Sequence, residues 1–218
     1  MPRFSHLIFD LDGTLVDTKA DLAAATNFML SALELPPVTS PQVERLVGEG
    51  ARILVERALG PQRADLVPCG FALFMEYYTA HLLDQTQPYE GIFALLAAAR
   101  TQGIVLSVLT NKPEVPSRAI LTGLGLADFF VALIGGDTLP TRKPDPQGVY
   151  YLQQLTAIDL AATLLIGDSR IDVETGRAAG VTTCGVTWGF AAEGMHACVP
   201  RFVVDSPAQL SSLVLGST

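Results

Sequence analysis

The sequence reads Asp10-Leu11-Asp12-Gly13-Thr14-Leu15-Val16-Asp17 directly after the apolar run His6–Phe9. Such a run is typical of a buried parallel strand. Side chains two residues apart on an extended chain point the same way, so Asp10 and Asp12 leave the strand end close together. Two close carboxylates repel each other unless a divalent cation or a proton relieves the repulsion. The stretch predicts one carboxylate that attacks and one that handles a proton; the alternative is an acidic turn without chemistry.

Three later segments also place polar side chains where a predicted strand ends. They are Thr110-Asn111-Lys112-Pro113 after 104–109, Lys143-Pro144-Asp145-Pro146 in the loop after 134–137, and Gly167-Asp168-Ser169-Arg170-Ile171-Asp172 after 164–166. In an open parallel α/β sheet, the carboxyl ends of the strands form the ligand crevice. The four segments are therefore expected to meet at one edge of the sheet.

The order of predicted elements indicates an α/β fold with an inserted helical block. Helices are predicted at 21–33, 41–47 (with Ser40 as a possible N-cap), 51–59 and 64–83, and no strand is evident in this block. After residue 90 strands and helices alternate, with helices at 92–102, 114–123, 147–156 and 172–179 and strands at 104–109, 130–134, 163–166 and 181–186. This alternation is typical of βαβ crossovers, so a Rossmann-like, doubly wound parallel sheet is expected.

Composition restricts the possible partners and location. The chain has 218 residues and a net charge of −8, which argues against nucleic acid as a partner. No apolar run reaches membrane-spanning length, and the N-terminus lacks a signal-peptide layout. The odd set Cys69, Cys184 and Cys198 indicates reduced, mostly buried thiols, which predicts a cytoplasmic protein. The histidines His6, His81 and His196 are expected to be structural or surface residues.

The four motifs together resemble those of the haloacid dehalogenase-like phosphohydrolases. The matching order is DxDGTxxD, then TN, then KPDP, then GDSxxD, and it extends from residue 7 to about residue 188. Within that superfamily the chain is most similar to the phosphoglycolate phosphatase group, through details such as Gly48-Glu49-Gly50-Ala51-Arg52 and Gly135-Gly136-Asp137-Thr138-Leu139-Pro140. The resemblance implies a catalytic core at 1–16 and 90–218 and a helical cap domain at 17–89.

The resemblance also implies a role for each core motif. Asp10 would be the nucleophile that forms an aspartyl phosphate, and Asp12 the general acid and base. Thr110 would bind a phosphoryl oxygen, although Thr110 or Asn111 could instead cap the next helix. Lys143 would neutralise the nucleophile and the phosphoryl group, although a loop lysine is more often exposed.

A cation site and substrate contacts complete the prediction. Mg²⁺ would be held by Asp10, the Asp12 backbone carbonyl and Asp168, with Asp172 as an outer ligand or, alternatively, a helix N-cap. The further residues expected to bind substrate are Gly13 and Thr14 in the first loop, Asn111, and Glu49, Gly50 and Arg52 in the cap.

In this scheme Arg52 binds a carboxylate of the substrate. The alternative is that Arg52 is a surface arginine without this role. Lys112 and Arg170 are expected near the crevice without direct chemical roles.

These features predict a Mg²⁺-dependent phosphatase for a small phosphomonoester, with 2-phosphoglycolate favoured by resemblance alone. One alternative is a phosphatase for another small metabolite such as a sugar phosphate. A phosphonatase is disfavoured because no lysine occurs between Lys19 and Lys112 to form the cap Schiff base. A non-catalytic binding or regulatory module is the alternative outside the enzyme class. A monomer and a homodimer are equally compatible with the sequence.

Overall fold

The secondary structure is given by a computed structural model that describes residues 3–190 and 198–216. The strands are β1 (His6–Phe9), β2 (Val16–Asp17), β3 (Gln87–Pro88), β4 (Val105–Leu109), β5 (Ala132–Ile134), β6 (Thr163–Gly167), β7 (Thr182–Val186) and β8 (Phe202–Val204). The helices are α1 (Lys19–Ala32), α2 (Ser40–Glu44), α3 (Ala51–Leu59), α4 (Val67–Ala80), α5 (Ile92–Thr101), α6 (Glu114–Gly123), α7 (Gln147–Thr156), α8 (Arg170–Ala179) and α9 (Pro207–Leu215).

The main sheet has six parallel strands in the order β5-β4-β1-β6-β7-β8. The chain moves outward from β1 through β4 to β5, then returns to β6 on the other side of β1. Phe9 at the end of β1 lies opposite Val108 of β4 and Ile166 of β6. This doubly wound order confirms the predicted fold class, and it puts the ligand crevice beyond the carboxyl end of β1.

Alternate side chains of β1 enter two different cores, as the two-residue period of a strand requires. Leu7 and Phe9 belong to the larger core, which also contains Ile92 of α5 and Leu210 of α9. Ile8 belongs to the smaller core on the opposite face, which α7 and α8 cover. Burial on both faces explains why Leu7, Ile8 and Phe9 of β1 are apolar.

The helical block, α1 to α4, lies in sequence between β1 and β4, and the antiparallel pair β2–β3 joins its two ends. A buried carboxylate fixes this junction. Asp21 of α1 accepts hydrogen bonds from the backbone N–H groups of Gln85 and Thr86 and from the Thr86 hydroxyl, at 2.7–3.1 Å. The division into a core at 1–16 and 90–218 and a cap domain at 17–89 stays a prediction.

Three helix starts in the block differ from the prediction: α1 begins at Lys19 and not at residue 21, and the other two, those of α2 and α4, lie near prolines. Helix α2 begins at Ser40, so the N-cap is Thr39, whose N–H donates to Gln42 Oε1 at 2.7 Å. Helix α4 begins at Val67 and not at residue 64, because the preceding segment Pro61–Leu66 forms a 3-10 helix. Prolines near both starts lack the N–H that a helix interior needs, which fixes the first turns there.

The sequence analysis missed β8 and α9. A signal for α9 existed, since Ser206 caps the helix by accepting from the Gln209 N–H, and Leu210 and Val214 share one face. Cys184 is buried as expected, but Cys69 is exposed. His196 lies outside the described residues. Within the described ranges, none of the helices has the length and apolarity needed to cross a membrane.

Candidate active site

Lys143 lies buried between two carboxylates, beneath the floor of the crevice. Its Nζ is 2.9 Å from Asp10 Oδ1 and 2.6 Å from Asp172 Oδ1, and the lysine is 4% exposed. Burial raises the pKa of Asp10 to about 6, although the nearby Lys143 ammonium opposes the increase. Burial lowers the pKa of Lys143, but the two carboxylates outweigh it and the net pKa is raised. The loop lysine is thus buried, contrary to the exposed alternative.

Three buried carboxylates form a cluster at the ends of β1 and β6. Asp10, Asp168 and Asp172 each place an oxygen within 4.8 Å of the others. Asp168 Oδ2 accepts from the Phe190 N–H at 2.6 Å. Hard oxygen donors of this kind suit Mg²⁺, and the three negative charges exceed the single charge of Lys143. The predicted metal-binding residues therefore fit a divalent cation.

Asp172 is not the N-cap of α8. The N-cap is Ser169, and Asp172 is the third helical residue of a capping box. Its Oδ2 accepts from the Ser169 hydroxyl at 2.6 Å and from the Ser169 N–H at 3.1 Å. Its other oxygen contacts Lys143. Asp172 thus fixes the helix start and orients Lys143, as well as being able to face a cation.

The first loop turns at Gly13, which has φ = +78°. A Cβ there would overlap the Asp168 carboxylate, so the close approach of this loop to β6 requires glycine. The Leu11 N–H donates to Asp10 Oδ1 at 2.7 Å, which orients the carboxylate. Thr14 is fully buried, and its hydroxyl has no hydrogen-bond partner among residues 3–190 and 198–216. Neither Gly13 nor Thr14 lines the cavity.

Lys112 lies at the crevice, as expected, and lines the cavity. Its Nζ is 3.0 Å from both oxygens of Asp12 and 2.6 Å from the Tyr78 hydroxyl. Burial alone would lower its pKa, but Asp12 and Tyr78 raise it overall. The Thr18 hydroxyl also donates to Asp12, at 2.8 Å. Because Tyr78 belongs to α4, this contact joins the helical block to the strand ends.

Thr110 and Asn111 do not cap the next helix. The N-cap of α6 is Pro113, and the N–H of Glu114 in its first turn donates to Asp137 Oδ1 at 2.7 Å. Thr110 lines the cavity, and its hydroxyl accepts from the Lys112 N–H at 3.3 Å. The Asn111 amide donates to the carbonyls of Gly48 and Lys143, at 3.0 and 3.1 Å. Asn111 therefore ties the glycine loop of the helical block to the lysine loop of the core.

The glycine loop enters the site through its backbone, not through its charged side chains. Gly50 has φ = +94°, and a Cβ there would lie 2.9 Å from the Asn111 carbonyl oxygen. Glu49 pairs with Arg57 on the surface. The Arg52 side chain is 57% exposed and lies along α3, with Nε 3.2 Å from Glu56 Oε1. Gly50 lines the cavity, whereas Arg52 and Glu49 do not, so their placement does not support the expected substrate contact.

A single cavity connects these groups. Its floor carries Asp10, Asp12, Thr110, Lys112 and Asp168, and its upper wall is apolar. The upper wall consists of Leu22, Val47, Ala51, Leu54, Phe74, Met75, Pro113, Pro116 and Phe190. Arg170 pairs with Glu174 on the surface and is not in the lining, as expected.

The comparisons with known proteins agree with this geometry. A sequence model of the haloacid dehalogenase-like hydrolase family matches residues 7–186. The chain is 42% identical to a phosphoglycolate phosphatase of Neisseria meningitidis, with 84% of this chain and 80% of that protein covered. It is 41% identical to a phosphoglycolate phosphatase of Rhodospirillum rubrum, with 96% and 90% covered.

Solved structures show the same fold. The crystal structure of a predicted phosphoglycolate phosphatase from Haemophilus somnus superposes with a TM-score of 0.89 at 30% identity, covering 96% of this chain and 97% of that one. The chain therefore belongs to the haloacid dehalogenase-like hydrolase family. Its similarity lies with the phosphoglycolate phosphatase group, and the predictions of this group and of an enzyme of the phosphatase class are confirmed.

Proposed function

We propose that this protein is a Mg²⁺-dependent phosphomonoesterase that acts through a phosphorylated Asp10, with 2-phosphoglycolate as its substrate. The observation that carries the proposal is the buried Asp10 carboxylate, held at 2.9 Å by Lys143 and clustered with Asp168 and Asp172 at the floor of the cavity. The names of the relatives support 2-phosphoglycolate. No observation favours a sugar phosphate over it.

The proposed reaction has two steps. In the first, an Asp10 oxygen attacks phosphorus, the bond between phosphorus and the ester oxygen breaks, and Asp12 gives its proton to the leaving alkoxide. In the second, Asp12 takes a proton from water, the water oxygen attacks phosphorus, and the bond to Asp10 breaks to release phosphate. Splitting the reaction in this way replaces one difficult step by two easier ones.

The other polar residues would bind and orient the phosphoryl group. Lys143 would offset its negative charge, and the Thr110 hydroxyl would donate to one of its oxygens. Asp10, the Asp12 carbonyl and Asp168 would hold Mg²⁺, with Asp172 beside them, and the bound ion would supply positive charge to the phosphoryl oxygens. The apolar upper wall would keep bulk water out of the site during turnover.

Trapping the phosphorylated aspartate tests this proposal. Brief incubation with 2-phosphoglycolate and Mg²⁺, followed by borohydride, should reduce the acyl phosphate and convert residue 10 to homoserine, which peptide mass spectrometry detects. Asp10→Asn should release no phosphate and give no homoserine, because an amide is a poor nucleophile. Turnover by Asp10→Asn at a tenth of the wild-type rate or more would refute the assignment.

A further inference from the structure

Lys112 provides the positive charge on the surface of the cavity. Among residues 3–190 and 198–216, it is the one cationic side chain in the lining, beside the acidic Asp10, Asp12 and Asp168. Lys143 lies below the floor, where it contacts Asp10 and Asp172. Any second negative charge on the substrate would therefore have Lys112 as its available partner.

The position of Lys112 limits the distance between the ester oxygen of the substrate and its second negative charge. Under the proposed function, Asp12 donates to the leaving oxygen, which must then lie within hydrogen-bond distance of the Asp12 carboxyl. Lys112 Nζ is 3.0 Å from the same carboxyl. The ammonium thus lies within two hydrogen-bond lengths, about 6 Å, of the leaving oxygen. A carboxylate on the ester carbon spans this gap.

The remainder of the cavity disfavours a more distant charge. The apolar part of the wall, with side chains such as Leu54, Phe74 and Met75, offers no polar partner. Burying an unpaired charge against such a wall is unfavourable. A long substrate with a second phosphate at its far end would meet this surface, whereas a short acid would not.

We propose that Lys112 and the Tyr78 hydroxyl bind a carboxylate that the substrate carries on its ester carbon, so that the enzyme selects short 2-phosphorylated carboxylic acids. The inference rests on the proposed function and specifies its substrate class. Tyr78 can accept a hydrogen bond from Lys112 at 2.6 Å while its own O–H donates to the substrate. Arg52, whose guanidinium lies along α3, has no part in this recognition.

The contact can be measured by binding alone, in a background without turnover. The variant Asp12→Asn removes the proton donor and keeps Lys112. The double variant Asp12→Asn/Lys112→Gln removes both charges, so the double variant has no unpaired buried ion at these two positions. The probes are 3-phosphonopropanoate, which mimics 2-phosphoglycolate with a methylene for the ester oxygen, and propylphosphonate, which lacks the carboxylate. Calorimetric titration with Mg²⁺ present gives both dissociation constants.

Asp12→Asn should bind 3-phosphonopropanoate ten- to a hundredfold more tightly than propylphosphonate, the range of a charged hydrogen bond. The double variant should bind the two within about threefold. The matched control is Asp12→Asn/Arg118→Gln, because Arg118 is an exposed cation paired with Glu114. This control should keep the full preference for 3-phosphonopropanoate over propylphosphonate. An equal preference in both variants, or none in Asp12→Asn, would overturn the inference.

Two further measurements keep the outcome interpretable. If circular dichroism shows that the double variant is unfolded, Asp12→Asn/Tyr78→Phe replaces it, and an unchanged preference there counts against the inference. Phosphate release by the wild-type enzyme separates the two proposals. No release from 2-phosphoglycolate or ethyl phosphate with Mg²⁺ would overturn the proposed function, whereas equal kcat/KM for both would keep a phosphatase and overturn the carboxylate contact.

Discussion

Gly13 illustrates at the scale of one residue how closely the first loop approaches the carboxylate cluster. Its φ of +78° is one that side-chain-bearing residues rarely adopt, and a Cβ would overlap Asp168. Gly103 provides a comparison, because it has a similar φ of +75° and nothing within 4 Å of its Cβ position. The two glycines therefore separate backbone strain from displacement of a functional carboxylate.

We expect Gly13→Ala to lower kcat/KM for phosphate release by at least about a hundredfold, the effect of misplacing a reacting group by about 1 Å. Both Gly13→Ala and Gly103→Ala should lose about 1–2 kcal/mol of stability, the cost of a left-handed residue with a Cβ. Gly103→Ala should keep near-wild-type kcat/KM. Equal activity of the two variants would show that Asp168 does not need the close approach.

His6 is a second residue whose environment gives a measurable effect. It is buried on β1, with Nε2 2.9 Å from the Ser107 hydroxyl, and burial lowers its pKa from 6.5 to about 4. The folded protein therefore holds the neutral form, and the unfolded chain binds the proton more readily. Stability from this group is fully present above pH 6.5 and is lost as the pH falls toward 4.

We expect His6→Gln to reduce this pH dependence. Between pH 7 and 4, the unfolding free energy of the wild type should fall by up to roughly 3 kcal/mol more than that of the variant. Urea titrations at each pH measure this free energy. Ser107→Ala is the control, because it keeps the buried histidine and should keep the pH dependence. Parallel curves for wild type and His6→Gln would contradict the explanation.

At the scale of elements, Asp21 connects the start of the helical block to its end. Its carboxylate accepts from Gln85 and Thr86, more than sixty residues further along the chain. An anion that accepts several hydrogen bonds in a buried site contributes more than a neutral contact does. These hydrogen bonds join α1 to the segment that leads into β3. They therefore hold together the two segments that connect the helical block to the sheet.

We expect Asp21→Asn to lower the unfolding free energy by about 2–3 kcal/mol, because an amide group of Asn would face backbone donors. Urea unfolding measures the change. Asp65→Asn, at an exposed position of the same block, should cost less than about 0.5 kcal/mol. A similar loss in both variants would mean that the charge of the block, not the Asp21 bonds, decides its stability.

At the scale of the whole molecule, the carboxylate cluster joins β1, β6 and α8, so a bound cation should stabilise the complete fold. At a hundred times its Kd, Mg²⁺ should add about 2.7 kcal/mol and raise the Tm. Asp168→Asn should abolish the increase. Activity should disappear after dialysis against EDTA and return with Mg²⁺, and Ca²⁺ should inhibit, because its longer bonds and higher coordination number would misalign Asp10.

An equal Tm with and without Mg²⁺, together with full activity in EDTA, would contradict the metal assignment. A stabilised but inactive protein would not, because the cation could then be bound without aligning Asp10 for attack.

The sequence by itself predicted five of the six strands of the main sheet and most of the residues on the floor of the site. Strand residues such as Leu7, Ile8 and Phe9 are apolar because both faces of the sheet are covered, and that pattern is local. The carboxyl ends of parallel strands lie at the same edge of a sheet. Asp10, Thr110 and Asp168 each follow such a strand, so they are expected to lie close together. Strand periodicity and chain order suffice for this part because neither depends on side-chain packing.

The tertiary structure alone decided which charged groups line the cavity. Lys112 meets Asp12 across 100 residues of sequence and Tyr78 across 34, and no local pattern records such pairings. Arg52, by contrast, has its partner Glu56 one helical turn away, and that local pair holds its side chain outside the cavity. A long side chain can reach several partners, and the packing of α4 against the strand ends selects among them. Which partner a charged side chain faces therefore depends on tertiary packing, whereas the positions of the strand ends follow from the local sequence pattern.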